Sequence, residues 1–330
     1  MSTPNPKEPT VKIIHRRFPH ESQDDQEQRM RDDLLIAKIS IAANIELEPP
    51  YGEGDEDFTA RAVRNESHRT SHLTKRINPH EGEIIEIMMK TEKKTGKLAN
   101  GVLVPECIYE EGDRLFILMI TADTNLFQDA VNGDTGNFDI EQVLEDMIEA
   151  LHFLHKECRI VHLDIKLENI LRKNGRYYLA DFGKSAPCKT TVNPVGTYMY
   201  TAPEGFKDSH GPAPVATPCE AVASLDHWSL GITLWLCAKN GVLWGAAYQS
   251  DPAFFVYACA RSDLTKQNAT KKSGAKRKCD CICPLAEVRC PLDEVRRHLC
   301  LDEIDQISLK VGEYVFRALA LDPTKRDKDA

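Results

Sequence analysis

HLDIKLENI at residues 162–170, followed by ADFG at 180–183, is the stretch on which the fold turns. Between them, ILRK and RYYLAD flank Asn174-Gly175. An Asn-Gly pair accepts the two positive φ angles of a two-residue turn, and the flanking runs are strand-like, so the spacing predicts a β-hairpin. Polar clusters sit at both ends of that hairpin. Closing it brings Asp164, Lys166 and Asn169 close to Asp181. Three oxygen-bearing side chains and one ammonium make a place to hold Mg²⁺ and a triphosphate.

These motifs resemble those of the protein kinase family, whose catalytic loop reads H-R-D-L-x-x-x-N and whose metal-binding turn reads D-F-G. The Asp-x4-Asn spacing together with a complete D-F-G makes the match specific. By position, the resemblance implies that Asp164 accepts the proton of, or orients, a substrate hydroxyl. It makes Asn169 and Asp181 ligands of Mg²⁺ and Lys166 the cation that steadies the transferred phosphoryl. His162 is then a structural residue packed beneath the Asp-Phe-Gly turn. Leu163 stands where the family has an Arg that pairs with a phosphate on the activation segment, which argues against that mode of switching.

Composition sets the class. A chain of 330 residues, 42% hydrophobic and 28% charged, can bury one or two substantial cores. A formal charge of -9 argues against wholesale nucleic-acid binding, which needs a basic surface. No apolar run approaches the roughly 20 residues that span a bilayer, and the start MSTPNPKEP lacks a signal-peptide core. The reading is an intracellular protein, cytoplasmic or nuclear, in which most of the eleven cysteines are small apolar fillers.

Upstream of the hairpin, residues 1–48 read as a partly disordered extension carrying the charged run ESQDDQEQRMRDD and an apolar patch. TVKII at 10–14 imitates the strand that holds the kinase lysine, but no suitable loop precedes it, so Lys12 is set aside. YGEGDEDFT at 51–59 offers Gly52 and Gly54 as a phosphate-covering loop, with Asp55, Glu56 and Asp57 as unwelcome charges beside phosphates. Gly52 precedes Lys75 by 23 residues, a spacing similar to the family's. Lys75 lies on a predicted strand that leads into the helix EGEIIEIMMKTEKK, whose stripe is read as Ile84, Ile87 and Met88. The resemblance then makes Lys75 the holder of the α- and β-phosphates, with Glu83 as its ion-pair partner and Glu86 as the alternative. Leu73 replaces the customary Ala on the pocket roof. Counting along GVLVPECIYEEGDRLFILMI makes Met119 the back wall of the nucleotide pocket and Ile120 to Asp123 the hinge.

Downstream, apolar residues at 140, 143, 144, 147, 148, 151 and 154 predict a core helix capped by Asp139. Thr197 in VGTYMYTAPE matches the threonine that contacts the catalytic Asp and Lys in serine/threonine kinases, and Thr190 and Thr191 are candidate phosphosites. Glu204 and Arg326 resemble the family's long-range ion pair, and Asp226 its brace of the catalytic loop. Residues 262–300 form a basic, Cys-rich insertion in which KKSGAKRK suggests an exposed loop, a docking patch or a nuclear-import signal. Cys279, Cys281, Cys283, Cys290, His298 and Cys300 raise Zn²⁺ binding, though C-x-C-x-C is not the usual knuckle.

The expectation is an α+β, bilobal protein-kinase-like fold: a small antiparallel β lobe with one helix over 49–122, and a mainly helical lobe over 123–330 that carries the insertion near 262–297. The implied activity is transfer of the γ-phosphoryl of Mg·ATP to a protein serine or threonine. The alternative is a pseudokinase that binds or scaffolds partners without chemistry, motivated by the acidic glycine loop and Leu73.

Overall fold

The computed structural model describes residues 12–16, 22–27, 59–64, 71–111, 114–131, 139–193, 197–206, 215–239, 242–255, 257–258 and 309–326. Gly52, Gly54 and their acidic neighbours, most of the 1–48 extension, and the 262–300 insertion with its basic run and its cysteines lie outside the described residues.

The small lobe is a five-stranded antiparallel sheet: β1 (Lys12–His15), β2 (Thr59–Arg64), β3 (Ser71–Ile77), β4 (Cys107–Glu111) and β5 (Arg114–Ile120), in the order β1-β4-β5-β3-β2. One helix, α1 (Pro79–Thr95), packs on it. Its ends are written in local chemistry. Asn78 Oδ1 accepts from Glu81 N, Pro79 occupies the first turn, and Gly96 closes the last turn at φ 69°. The placement of residues 12–16 corrects the expected boundary at 49. Lys12 to His15 pair with Glu110 to Cys107 as the far edge of the sheet, opposite the β2 edge, and Ile14 packs on the core.

Below the sheet lie β6 (Thr124–Asn125), α2 (Leu126–Val131) and α3 (Ile140–His152). Asp139 caps α3 by accepting from Glu141 N and Gln142 N, and Val143, Leu144, Met147, Ala150 and Leu151 form its buried face. The helix runs on into a π-helical turn, Phe153–Cys158, which Arg159 ends in the left-handed region. Then come β7 (Ile160–Val161), the hairpin β8 (Ile170–Lys173) and β9 (Arg176–Leu179), and the short strands β10 (Ala186–Pro187), β11 (Thr191–Val192) and β12 (Cys219–Glu220). α4 (Ala223–Lys239) is the centre of the lobe, with Trp228, Leu230, Ile232 and Leu234 all buried. Across it packs α5 (Leu309–Ala318), close enough that a Cβ on Gly231 would lie 2.9 Å from that of Ala318.

Candidate active site

The hairpin forms as its turn dictates: Asn174 and Gly175 take φ 51° and 76°, and Ile170 to Lys173 pair with Leu179 to Arg176. At its open end, Ala180 N donates to Asn169 O at 2.9 Å. The carboxylate-bearing loop and the Asp-Phe-Gly turn are thereby held side by side. Asp226, fully buried on α4, braces the loop through bonds from His162 N (2.7 Å) and Leu163 N (2.8 Å). Burial acts to raise the Asp226 carboxyl, but His155 Nε2 at 2.8 Å, His162 and these N–H groups hold it below the ordinary carboxylate value. This brace keeps Leu163 at φ 66°, a backbone conformation that L-residues avoid.

His162 is fully buried. Its Nδ1 accepts from Asp164 N, its Nε2 donates to Ala180 O at 3.1 Å, and its ring meets Phe182 edge-on at 5.2 Å. Burial pushes its pKa below the ordinary 6.5 despite the neighbouring carboxylates, so the ring is neutral and structural.

Asp164 is 7% exposed. Lys166 Nζ lies 2.9 Å from its Oδ2, and Lys184, which the sequence reading missed, lies 3.4 Å from the same atom. Asn169 Nδ2 donates to Asp164 O at 2.9 Å, which leaves its Oδ1 as an acceptor. The hydroxyl-bearing Thr197 is exposed on its 3₁₀ turn.

On the facing strand, Lys75 Nζ stands between two carboxylates, 3.1 Å from Asp181 Oδ1 and 3.4 Å from Glu81 Oε1. Burial acts to raise the Asp181 carboxyl, but the Lys75 charge and hydrogen bond outweigh it and hold it below 3.8. Glu83 is not the partner. It is exposed and lines a groove of about 190 Å³ between α1 and the sheet, with Ile14, Gly82, Glu86, Ile108, Glu110 and Leu115. The phase of the helix decides this. The buried stripe is Ile84, Ile85, Met88, Met89 and Glu92 rather than Ile84, Ile87 and Met88. Gly82 faces the sheet, where a Cβ would lie 2.4 Å from Leu115 Cδ2. Glu81 belongs to that buried face, at 4% exposure, and Glu83 is about 200° round the helix from it.

Met119 is buried at the end of β5, with its backbone opposite Leu73. The segment after it is pinned from below: Lys173 Nζ donates to Thr121 O at 2.5 Å, and Asp123 N donates to Arg172 O at 2.8 Å. The segment after Gly183 is held by two short ladders, β10 with β7 and β11 with β12. Where a basic side chain would stand, Leu163 packs on a small apolar cluster of Val161, Ala186 and Ala221. Glu204 and Arg326 make a two-pronged pair at 2.6 and 3.0 Å, with the buried guanidinium 4.7 Å from the Trp228 ring.

The donor chemistry suits a metal nucleotide: a carboxylate at 181 and an amide oxygen at 169 are hard ligands, and an ammonium stands beside them. Among the described residues no cluster of three or more His, Cys, Asp or Glu could hold a metal ion, and no helix is long and apolar enough to cross a membrane.

A family model for the protein kinase domain matches residues 52–326. The chain belongs to the protein kinase family, and its two-lobed α+β architecture is that family's fold. It is 35% identical over 154 residues to a probable protein kinase of Dictyostelium discoideum, covering 43% of this chain and 40% of that protein. It is 29% identical over 163 residues to the serine/threonine-protein kinase CHK1 of Saccharomyces cerevisiae, covering 46% and 29%. It is 30% identical over 157 residues to the serine/threonine-protein kinase cds1 of Schizosaccharomyces pombe, covering 46% and 33%. The chain thus spans well under half the length of these relatives.

Proposed function

We propose that the chain is an intracellular serine/threonine kinase that transfers the γ-phosphoryl of Mg·ATP to protein hydroxyls. The observation that carries this reading is the Lys75 ammonium held between Glu81 and Asp181, with the loop that bears Asp164 and its own lysines bonded to the Asp-Phe-Gly turn through Ala180 N and Asn169 O. Bound Mg·ATP supplies the phosphoryl group and divalent charge to offset its oxygens. Lys75, kept in place by Glu81, meets the α- and β-phosphates. Asp181 and Asn169 offer oxygens to the cation. Asp164 orients the substrate hydroxyl and takes its proton, and Lys166 with Lys184 faces the charge that spreads over the transferred group. Met119 walls the adenine pocket, Ile120 to Asp123 meet its edge, and Gly52 and Gly54 cover the phosphates. The basic run near 271–278 serves as a docking patch for a protein partner. Relatives named as serine/threonine kinases support the choice of hydroxyl.

The test is incorporation of labelled phosphate into a generic basic protein. Asp164→Ala and Lys75→Met each lower it by about 100-fold or more; equal incorporation by wild type and both variants overturns the assignment. The scaffold alternative rests on the acidic run at 55–57 and predicts that Mg·ATP leaves the melting temperature unchanged, whereas an open nucleotide site raises it by several degrees.

A further inference from the structure

The residues that pin α1 extend beyond the part of the chain that matches the kinase family. Arg16 follows β1 and lies outside residues 52–326. Its Nε and Nη2 meet the two carboxylate oxygens of Glu92 at 2.6 and 2.5 Å, and its Nη1 donates to Val104 O at 3.1 Å. Its own N–H donates to Glu106 O at 2.8 Å. Glu92 is 0% exposed and also accepts from Ala99 N at 2.7 Å. One guanidinium therefore joins the N-terminal strand, the last turns of α1 and the chain that leads into β4.

Glu92 and Glu81 lie eleven residues apart, about three turns, so they share one face of the helix about 16 Å apart along its axis. Ile85 and Met88, each 0% exposed, fill the stripe between them. The helix is thus held by a buried carboxylate at each end, one on Arg16 and one on Lys75. A carboxylate at zero exposure is tolerated only while its counter-charge is there. Without Arg16, Glu92 escapes its unpaired burial by turning toward water, and any rotation of α1 that frees Glu92 carries Glu81 away from Lys75.

We propose that β1 and Arg16 form a strap whose role is to set the orientation of α1, making Arg16 a positioning residue for the Lys75–Glu81 pair. The consequence for catalysis rests on the kinase reading above; the effect on the helix does not. Arg16→Met in the full chain is expected to raise amide hydrogen exchange across 79–95 by about tenfold and to lower kcat/KM by about tenfold, through lower kcat and higher KM for ATP, with KM for the protein substrate unchanged. Arg16→Lys keeps the charge but loses the fork, and gives an intermediate effect. Arg16→Met with Glu92→Met removes the stranded charge and restores both readouts toward wild type, as expected if the unpaired carboxylate is what turns the helix; the selective change in KM for ATP is the readout that a merely stabilising contact would not move.

Wild-type exchange and kinetics in Arg16→Lys and in Arg16→Met overturn the strap. So does a double variant no better than Arg16→Met. If Arg16→Met does not fold, Arg16→Lys and the double variant decide the matter on the same readouts. A wild-type chain that transfers no phosphate, yet whose α1 exchange responds to Arg16→Met, overturns the proposed function and upholds the strap.

Discussion

Glu81 and Glu83 stand two residues apart on α1, and only the first reaches Lys75. On the proposed mechanism, Glu81→Gln lowers kcat/KM by about 10- to 100-fold, equivalent to about 1.4–2.8 kcal/mol, while Glu83→Gln stays within about twofold of wild type. Steady-state kinetics on the two variants check this, and a larger loss in Glu83→Gln would reverse the assignment. The residues proposed to carry the chemistry, Asp164, Lys166, Asn169 and Asp181, were legible by type and spacing because they flank one hairpin with its own turn signal. Glu81 was not. Ile84, Ile85, Ile87, Met88 and Met89 spread over about 200° of the helix, so the pattern leaves its phase open. The signal that settles it is Gly82, the one position on that face without a side chain, and its meaning depends on how near β5 comes. Lys184 escaped notice for a related reason: a lysine after Asp-Phe-Gly has no local pattern that marks it as facing Asp164.

The elements around the site depend on close approaches that a sequence pattern does not display. Between α1 and β4 the chain turns at Gly101, where φ is +67° and a Cβ would lie 2.1 Å from Asp146 O on α3. Gly101 O also accepts from Leu179 N, which ties this connection to β9. Gly101→Ala combines a left-handed backbone with a clash against backbone that cannot move aside. A loss of about 3 kcal/mol is expected, read as a lower urea midpoint with the slope retained. The activation segment shows a comparable division of labour. Its two short ladders and the Leu163 cluster give it order without a basic side chain at position 163. That substitution was visible in the sequence; the apolar cluster that receives it was not, because Val161, Ala186 and Ala221 come from three separate segments.

For the whole molecule, two buried groups, His162 and Asp226, and the half-buried Asp181 act in one direction on pH stability. His162 is held neutral with its pKa below 6.5, so beneath 6.5 the unfolded chain binds a proton that the fold refuses, and stability is lost as pH falls through that window. Asp181 and Asp226 have folded values below 3.8, so their contribution is present above 3.8 and is lost as pH falls through those lower values. The melting temperature should therefore decline on acidification below about pH 6.5, and His162→Asn should flatten the slope between about pH 6.5 and 5. An unchanged slope in that variant would remove His162 as its source.

Sequence alone determined the hairpin, the periodic helices and the motifs whose resemblance to the protein kinase family implied two lobes, because each is a short-range signal whose residues are neighbours or lie a few turns apart. Tertiary structure alone decided which glutamate meets Lys75 and that residues 12–16 are part of the sheet. A helix whose apolar residues cover more than half its circumference takes its rotation from what it packs against. An edge strand takes its partner from open hydrogen-bonding groups, here at 107–110, almost a hundred residues along the chain.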